Sequence, residues 1–176
     1  MPVDHGKLGW FSPDPRGVIF PHSFHISRSL RKSIKKFTTT TDQAFAEVLD
    51  GCADPSRPNG WIDRDIKAAY LRLHQIGWAH SVEVWADSQL VGGVYGLTIG
   101  SFFAGESMFH RQTDASKVAL AYLVNYLKSG TAGLLDVQWL TPHLESLGAV
   151  ALPRMEYVNH LTNALAQPNV FTSTDP

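Results

Sequence analysis

AHSVEVWADSQLVGGVYGLTIGSFFAGESMF, residues 79–109, is where the chain changes its period. Just before it, Ile62, Ile66, Ala69, Tyr70, Leu73 and Ile76 recur at helical spacing from Trp61 to Ile76, and Gly77 is placed to close the helix in a left-handed cap. Inside the stretch, three runs of β-branched and aromatic residues, 81–86, 90–97 and 101–106, are separated by Asp87-Ser88 and the Gly100 region. That pattern predicts three antiparallel strands in a meander.

Working outward, TDASKVALAYLVNYLKSG predicts a helix capped by Thr113 or Asp114 and ended by Gly130. LLDVQ then reads as a short strand, PHLESLG as a helix, and the region near 149–152 as a last strand. Upstream, a Pro- and Gly-rich segment predicts loops and one short strand. The four threonines 38–41 suggest a strand leading, through a cap at Thr41 or Asp42, into a helix that carries Phe45, Val48 and Leu49 to Gly51. The plan is α+β: one mixed, mainly antiparallel sheet flanked by helices. We expect an N-terminal segment 1–37 with the basic stretch, a main domain 38–166, and a frayed tail 167–176. The element order resembles the acetyltransferase (GNAT-like) superfamily. That resemblance implies coenzyme A on a Gly-rich loop before the helix after the meander, but the loop here, HRQTDASK, has no glycine to bring backbone amides close to a pyrophosphate.

With 44% apolar residues in 176, the chain can fill a single core. The start lacks a charged-then-apolar leader, no apolar run reaches bilayer length, and one cysteine excludes an internal disulfide, so a soluble cytoplasmic monomer is expected. The net charge is −1, but it is unevenly spread. In ISRSLRKSIKK, residues 26–36, a helix would put Arg28, Arg31, Lys32, Lys35 and Lys36 on one side, and no Asp or Glu occurs from Pro15 to Thr41. Setting these five and Arg16 aside, nine basic residues face 16 acidic ones, a net −7. The stripe is either a solvated helix face or a local polyanion site.

Eight histidines show no H-x-x-x-H pair and no partner cysteines, so no metal is expected. Ser107 lies outside a G-x-S-x-G elbow, and Cys52 has no neighbouring histidine signature. Three acids in apolar strands stand out: Glu83, Glu106 and Asp136. A carboxylate there must be paired, solvated or part of a site. For Glu83 the simple reading is a solvent face or an Arg partner. Asp136 has Gln138 two residues on, on the same strand face, and a carboxylate with an amide can orient an amine and accept its proton. Nearby, Phe102, Phe103, Met108, Phe109, Leu120 and Leu123 could wall an apolar pocket of Leu or Phe size.

WFSPDPRGVI, HISRSLRKS, GCA followed by GWI, AAYLRLHQIGWAHSVEVW, LVGGVYGLTIGSFFAGESMF, DASKVAL, LLDVQWLTPHLESLGA and PRMEY occur in that order between Trp10 and Tyr157. Together they resemble the bacterial leucyl/phenylalanyl-tRNA protein transferases. The resemblance implies a GNAT-like fold without coenzyme A. It implies transfer of Leu or Phe, sometimes Met, from aminoacyl-tRNA to the N-terminal Arg or Lys of a protein in the N-degron pathway, with no cofactor. It places Asp136 and Gln138 at the amine-deprotonating pair and Glu106 at the carboxylate that orients amino or cationic groups. Val94, Phe103, Met108, Leu120, Leu123 and Leu135 fall in the aminoacyl side-chain pocket, with Val94 where a larger residue is common. Trp61 of GWI matches an aromatic that stacks on the terminal adenosine, worth roughly 1–3 kcal/mol, and the resemblance turns the basic stripe into a tRNA contact. The chain departs from the pattern in a short N-terminal region, where Trp10 is the one residue that could replace a second stacking Trp, in His110 for the usual Ser, and in TPH for NDH. A coenzyme A-dependent N-acetyltransferase and a non-catalytic tRNA-binding domain are the alternatives.

Overall fold

In the computed structural model the described residues are 2, 3, 7–9, 11–56, 60–129 and 132–171. Two short strands, β1 (Pro2–Val3) and β2 (Lys7–Leu8), pair with each other. The main chain then runs β3 (Arg16–Ile19), α1 (Arg28–Ile34), β4 (Thr38–Thr41), α2 (Phe45–Cys52), α3 (Arg64–Gln75), β5 (Ala79–Ala86), β6 (Gln89–Ile99) and β7 (Phe102–His110). It continues with α4 (Ala115–Leu127), β8 (Leu134–Gln138), α5 (Pro142–Glu145), β9 (Val150–Leu152) and α6 (Arg154–Leu165). Trp10 and Gly130 lie outside the described residues.

One seven-stranded sheet has the order β4-β5-β6-β7-β8-β3-β9. The β5-β6-β7 meander is antiparallel, as its turn residues require, and β7 and β8 are the parallel pair, joined by the α4 crossover. α3 ends as its sequence predicts: Gly77 takes φ +77, its amide donates to His74 O, and Trp78 N donates to Leu73 O at 2.9 Å. The caps of the other two helices differ from expectation. α2 has Ala44 at its N-cap, while Asp42 turns left-handed (φ +58) and accepts from Ser81 N at 2.8 Å, tying β4 to β5. Asp114 does stand at the α4 N-cap, but its carboxylate takes Lys117 and Ser33 rather than a helix amide.

Helices cover both faces. On one, α4 buries Leu120, Leu123 and Leu127 against Val94, Phe103 and Leu135, and α1 adds Leu30. On the other, α2 and α3 pack on Tyr95 and Phe109, and α6 packs on Val18, Leu134 and Leu152. Gly92 permits the first of these contacts, since a Cβ there would lie 2.6 Å from that of Ala115 at the start of α4.

Two expectations about the ends of the chain change. The segment 1–37, expected as an appendage, supplies β3, an inner strand between β8 and β9 whose Val18 and Ile19 are fully buried, so the fold does not divide at Phe37. The tail is anchored through Phe171, which is buried and stacks 4.6 Å from His80 and 5.1 Å from Tyr126, while Val170 N donates to Gly100 O. Residues 172–176 lie outside the described part.

Candidate active site

The site is made by a bulge and a parting of strands. On β6 and β7, Gly96 pairs with Gly105 but Tyr95 pairs with Ser107, so Glu106 is an extra residue with no partner opposite it. Such a bulge reverses which face the following residues use. It lets Phe103 and Met108 both face α4, while Phe109 turns to α2. β7 and β8 are last paired at Ala104 and Asp136 and then separate. Beyond that last pair β7 continues through Glu106 and β8 ends at Gln138.

Asp136 is fully buried, and its carboxylate is filled by four donors. Arg16 of β3 grips it with Nε at 3.0 Å from Oδ1 and 3.1 Å from Oδ2, and with Nη2 at 2.8 Å from Oδ2. Tyr157 of α6 donates its hydroxyl to Oδ2 at 2.7 Å, and the Gln138 amide donates to Oδ1 at 2.9 Å. A carboxylate buried with two-pronged Arg pairing and two further hydrogen bonds meets the conditions under which such an ion pair is tolerated. It has no oxygen left over for a proton. The expected sharing of one strand face by Asp136 and Gln138 also changes, because Gln138 adopts φ +61 and leaves the strand's alternation, closed into a turn by the bond to Asp136.

Glu106 is different. Burial raises its carboxyl above the ordinary range, and the Tyr70 hydroxyl of α3 donates a hydrogen bond to it. Tyr70 and Arg16 pull the value down and Asp136 pushes it up. Tyr70 itself is pushed far above its usual value, by burial first and then by the charge of Glu106. Tyr157 is raised likewise, by burial and then by Asp136.

Arg16, Tyr70 and Tyr157 were not legible as site residues. Arg16 read as one charge among many, Tyr70 as a core position of its helix, and the helix carrying Tyr157 was not foreseen. The one available signal was an Arg opening an apolar strand, in PRGVI.

The six pocket candidates do come together, on the α4 side of the sheet, with Val94 directly opposite Met108. Val94, Phe103, Leu120, Leu123 and Leu135 are at most 2% exposed and belong to the buried core. Met108 is the one that reaches open space, an approximately 500 Å³ cavity shared with His110, Ser116, Lys117 and His143. There His143 is held below its ordinary value by burial and by the neighbouring Lys117 and His110. Asp136 and Glu106 face the opposite layer, toward α6 and α3. Trp61 lies half-buried just ahead of α3. The basic stripe is on the α4 side: Arg28, Arg31 and Lys32 ride on α1, Lys35 is its C-cap and Lys36 follows the helix, all five exposed. Glu83 belongs to neither part. Buried rather than solvated, it is held by the hydroxyls of Ser81 and Thr40, each at 2.5 Å, in place of an Arg.

Among the described residues no helix is long and apolar enough to cross a membrane, and no group of three His, Cys, Asp or Glu is placed to hold a metal. A family model described as leucyl/phenylalanyl-tRNA protein transferase matches residues 18–162, a span that includes Tyr70, Glu106, Asp136, Gln138 and Tyr157.

The chain belongs to the leucyl/phenylalanyl-tRNA protein transferase family.

Curated proteins with that name include one from Zymomonas mobilis, 49% identical over 91% of this chain, and one from Ruegeria pomeroyi, 52% identical over 89%. The chain spans 61% of the first relative's length and 74% of the second's. The fold is also that of the acetyltransferases. A GCN5-related N-acetyltransferase from Kribbella flavida superposes with a TM-score of 0.50 at 12% identity, covering 80% of this chain and 55% of that one. Within the leucyl/phenylalanyl-tRNA protein transferase family match, the resemblance read from the motifs and the architecture read from the meander agree.

Proposed function

We propose that this chain transfers Leu or Phe, with Met as a further substrate, from the ester of aminoacyl-tRNA to the α-amino group of a protein beginning with Arg or Lys. It would act as a monomer in the cytoplasm, as an N-degron aminoacyltransferase without a cofactor. The observation that carries the reading is where the pairing of β7 and β8 ends, at Ala104 and Asp136. There an apolar cluster lies on one face of the sheet and the two carboxylates on the other.

The donor's side chain enters there toward Phe103, Met108 and Leu135, and its terminal adenosine stacks on Trp61. The acceptor approaches from the face of α3 and α6. An α-amino group has a reference pKa of about 7.7–8.0, so near neutral pH a working fraction is already the neutral nucleophile and correct placement is enough to use it. Glu106 takes the proton that this nitrogen sheds once it has attacked, and draws the cationic N-terminal residue. Asp136 holds Gln138 and Arg16 in place. No metal or ATP step is needed, because the ester is already activated. Incubating the protein with radiolabelled Leu-tRNA or Phe-tRNA and an Arg-starting peptide should label the peptide. No labelling at low salt would sink the reading.

The pH dependence follows from Glu106. A base must be ionised, so turnover is lost as pH falls through its carboxyl pKa, and burial sets that limb above the ordinary Glu value of about 4.3. The Tyr70 hydrogen bond stabilises the ionised form, so Tyr70→Phe should move the acid limb to higher pH. A limb that stays where it was takes Glu106 out of proton transfer.

A further inference from the structure

We propose that Arg16 is the electrophilic group of the transfer step, its Nη1 edge receiving the ester carbonyl oxygen of the donor as that oxygen becomes negative. The inference rests on the aminoacyl-transfer reading above and adds a catalytic residue to it. A guanidinium presents five N–H donors in a plane. Here Nε and Nη2 are spent on Asp136, at 2.8 to 3.1 Å, and Nη1 has no hydrogen-bond partner among the described residues. The side chain is 15% exposed, and Arg16 Nη1 is not among the buried unpartnered side-chain atoms, so that edge is open to an arriving acceptor.

Its surroundings say where the completing group would stand. The guanidinium carbon lies 5.3 Å from the centre of the Tyr157 ring, and Arg16 interacts electrostatically with both Asp136 and Glu106. Both carboxylates therefore act on this cation, and the donor ester would lie at its remaining edge. The grip of Asp136 fixes the plane of the cation before any substrate arrives. A donor held ready in place stabilises developing charge without reorganisation.

The step balances as follows. The neutral α-amino nitrogen of the acceptor attacks the ester carbonyl carbon, a C–N bond forms, and the carbonyl π pair moves onto oxygen beside Nη1. That pair then returns, the C–O bond to the ribose breaks, and the departing ribose oxygen takes the proton that Glu106 received from the nitrogen. Products are a peptide bond and a free ribose hydroxyl, with no net change of charge on the protein.

Arg16→Lys keeps a cation beside Asp136 and removes the second edge of the fork, so the variant should fold. We expect kcat for Leu transfer to fall by about 10²-fold or more, with KM for charged tRNA and for peptide within about threefold of the parent. Two adenosine probes separate the roles. One carries leucine as a 3′-amide and the other a tetrahedral phosphonate anion in place of the carbonyl. Arg16→Lys should bind the amide as the parent does and lose most of its affinity for the phosphonate. An unchanged kcat overturns the proposal, as does a raised donor KM with kcat intact, which would make Arg16 a tRNA-phosphate contact. Equal weakening of both probes would reduce Arg16 to a structural role and overturn it too. If Arg16→Lys proves unfolded, guanidinium ions added to Arg16→Gly should raise kcat without moving the thermal midpoint, and no such rescue counts against the assignment. Failure of the parent protein itself to transfer Leu would remove the aminoacyl-transfer reading instead.

Discussion

Asp136→Asn should cost this protein both stability and turnover. The substitution keeps the size of the side chain but replaces a carboxylate gripped by Arg16, Tyr157 and the Gln138 amide with a group that brings its own donors. Whichever way the amide is turned, one N–H donor faces another, and Arg16 is left nearly buried without a counter-charge. Removing one partner of a buried ion pair costs about 3–5 kcal/mol. A domain of this kind has roughly 5–15 kcal/mol in total, so the midpoint in a urea titration should fall clearly. Under native conditions transfer per folded molecule should drop by about 100-fold or more, because Arg16 and Gln138 lose the group that aims them. Binding of charged tRNA, which this buried residue does not touch in the proposed arrangement, should change little. A variant with parental stability and rate would show that the four donors are not what the site depends on.

The second large effect concerns salt. The cations at 28, 31, 32, 35 and 36 are all exposed, and none forms an ion pair among the described residues, so they remain available to a polyanion. Leu30 is buried against the α4 layer and Ile34 packs beside it, which orients the cations outward. If all five meet phosphates, the affinity for tRNA should fall with a log–log salt slope of roughly −3.5 to −4.5. Replacing Arg31, Lys32 and Lys35 together by alanine should flatten that slope by about 2 to 3 and weaken binding most at low salt. The melting temperature should barely move, since exposed cations contribute little to folding. Unchanged tRNA affinity would make the stripe a solvated helix face.

These two effects fall on residues of very different visibility. The stripe can be read in eleven consecutive residues, because helix periodicity and charge are local properties. The same is true of the meander, whose alternation and turn residues report their own conformation, and of Leu120 and Leu123, which the period of α4 sorts onto one face, whereas Phe103 and Met108 share that face only through the bulge. Glu106 and Asp136 could be picked out as acids in apolar strands, since such carboxylates need a reason. Even so, their local patterns suggested similar parts. The structure separates them: Asp136 is gripped by Arg16, Tyr157 and the Gln138 backbone amide, whereas Glu106 is met by the Tyr70 hydroxyl.

By itself the sequence determined an α+β sheet with its central meander, an apolar cluster, two suspect carboxylates and a concentrated basic stretch. Only the tertiary structure decided that Arg16, 120 residues away from Asp136, closes on it, and that α6 delivers Tyr157 to the same oxygen. The physical reason is distance along the chain. Period and capping act within a few residues, whereas an ion pair between β3 and β8 exists only once an antiparallel pairing has set their register. The same holds for the extra residue at Glu106. The bulge is a mismatch between two strands, visible only when both are aligned.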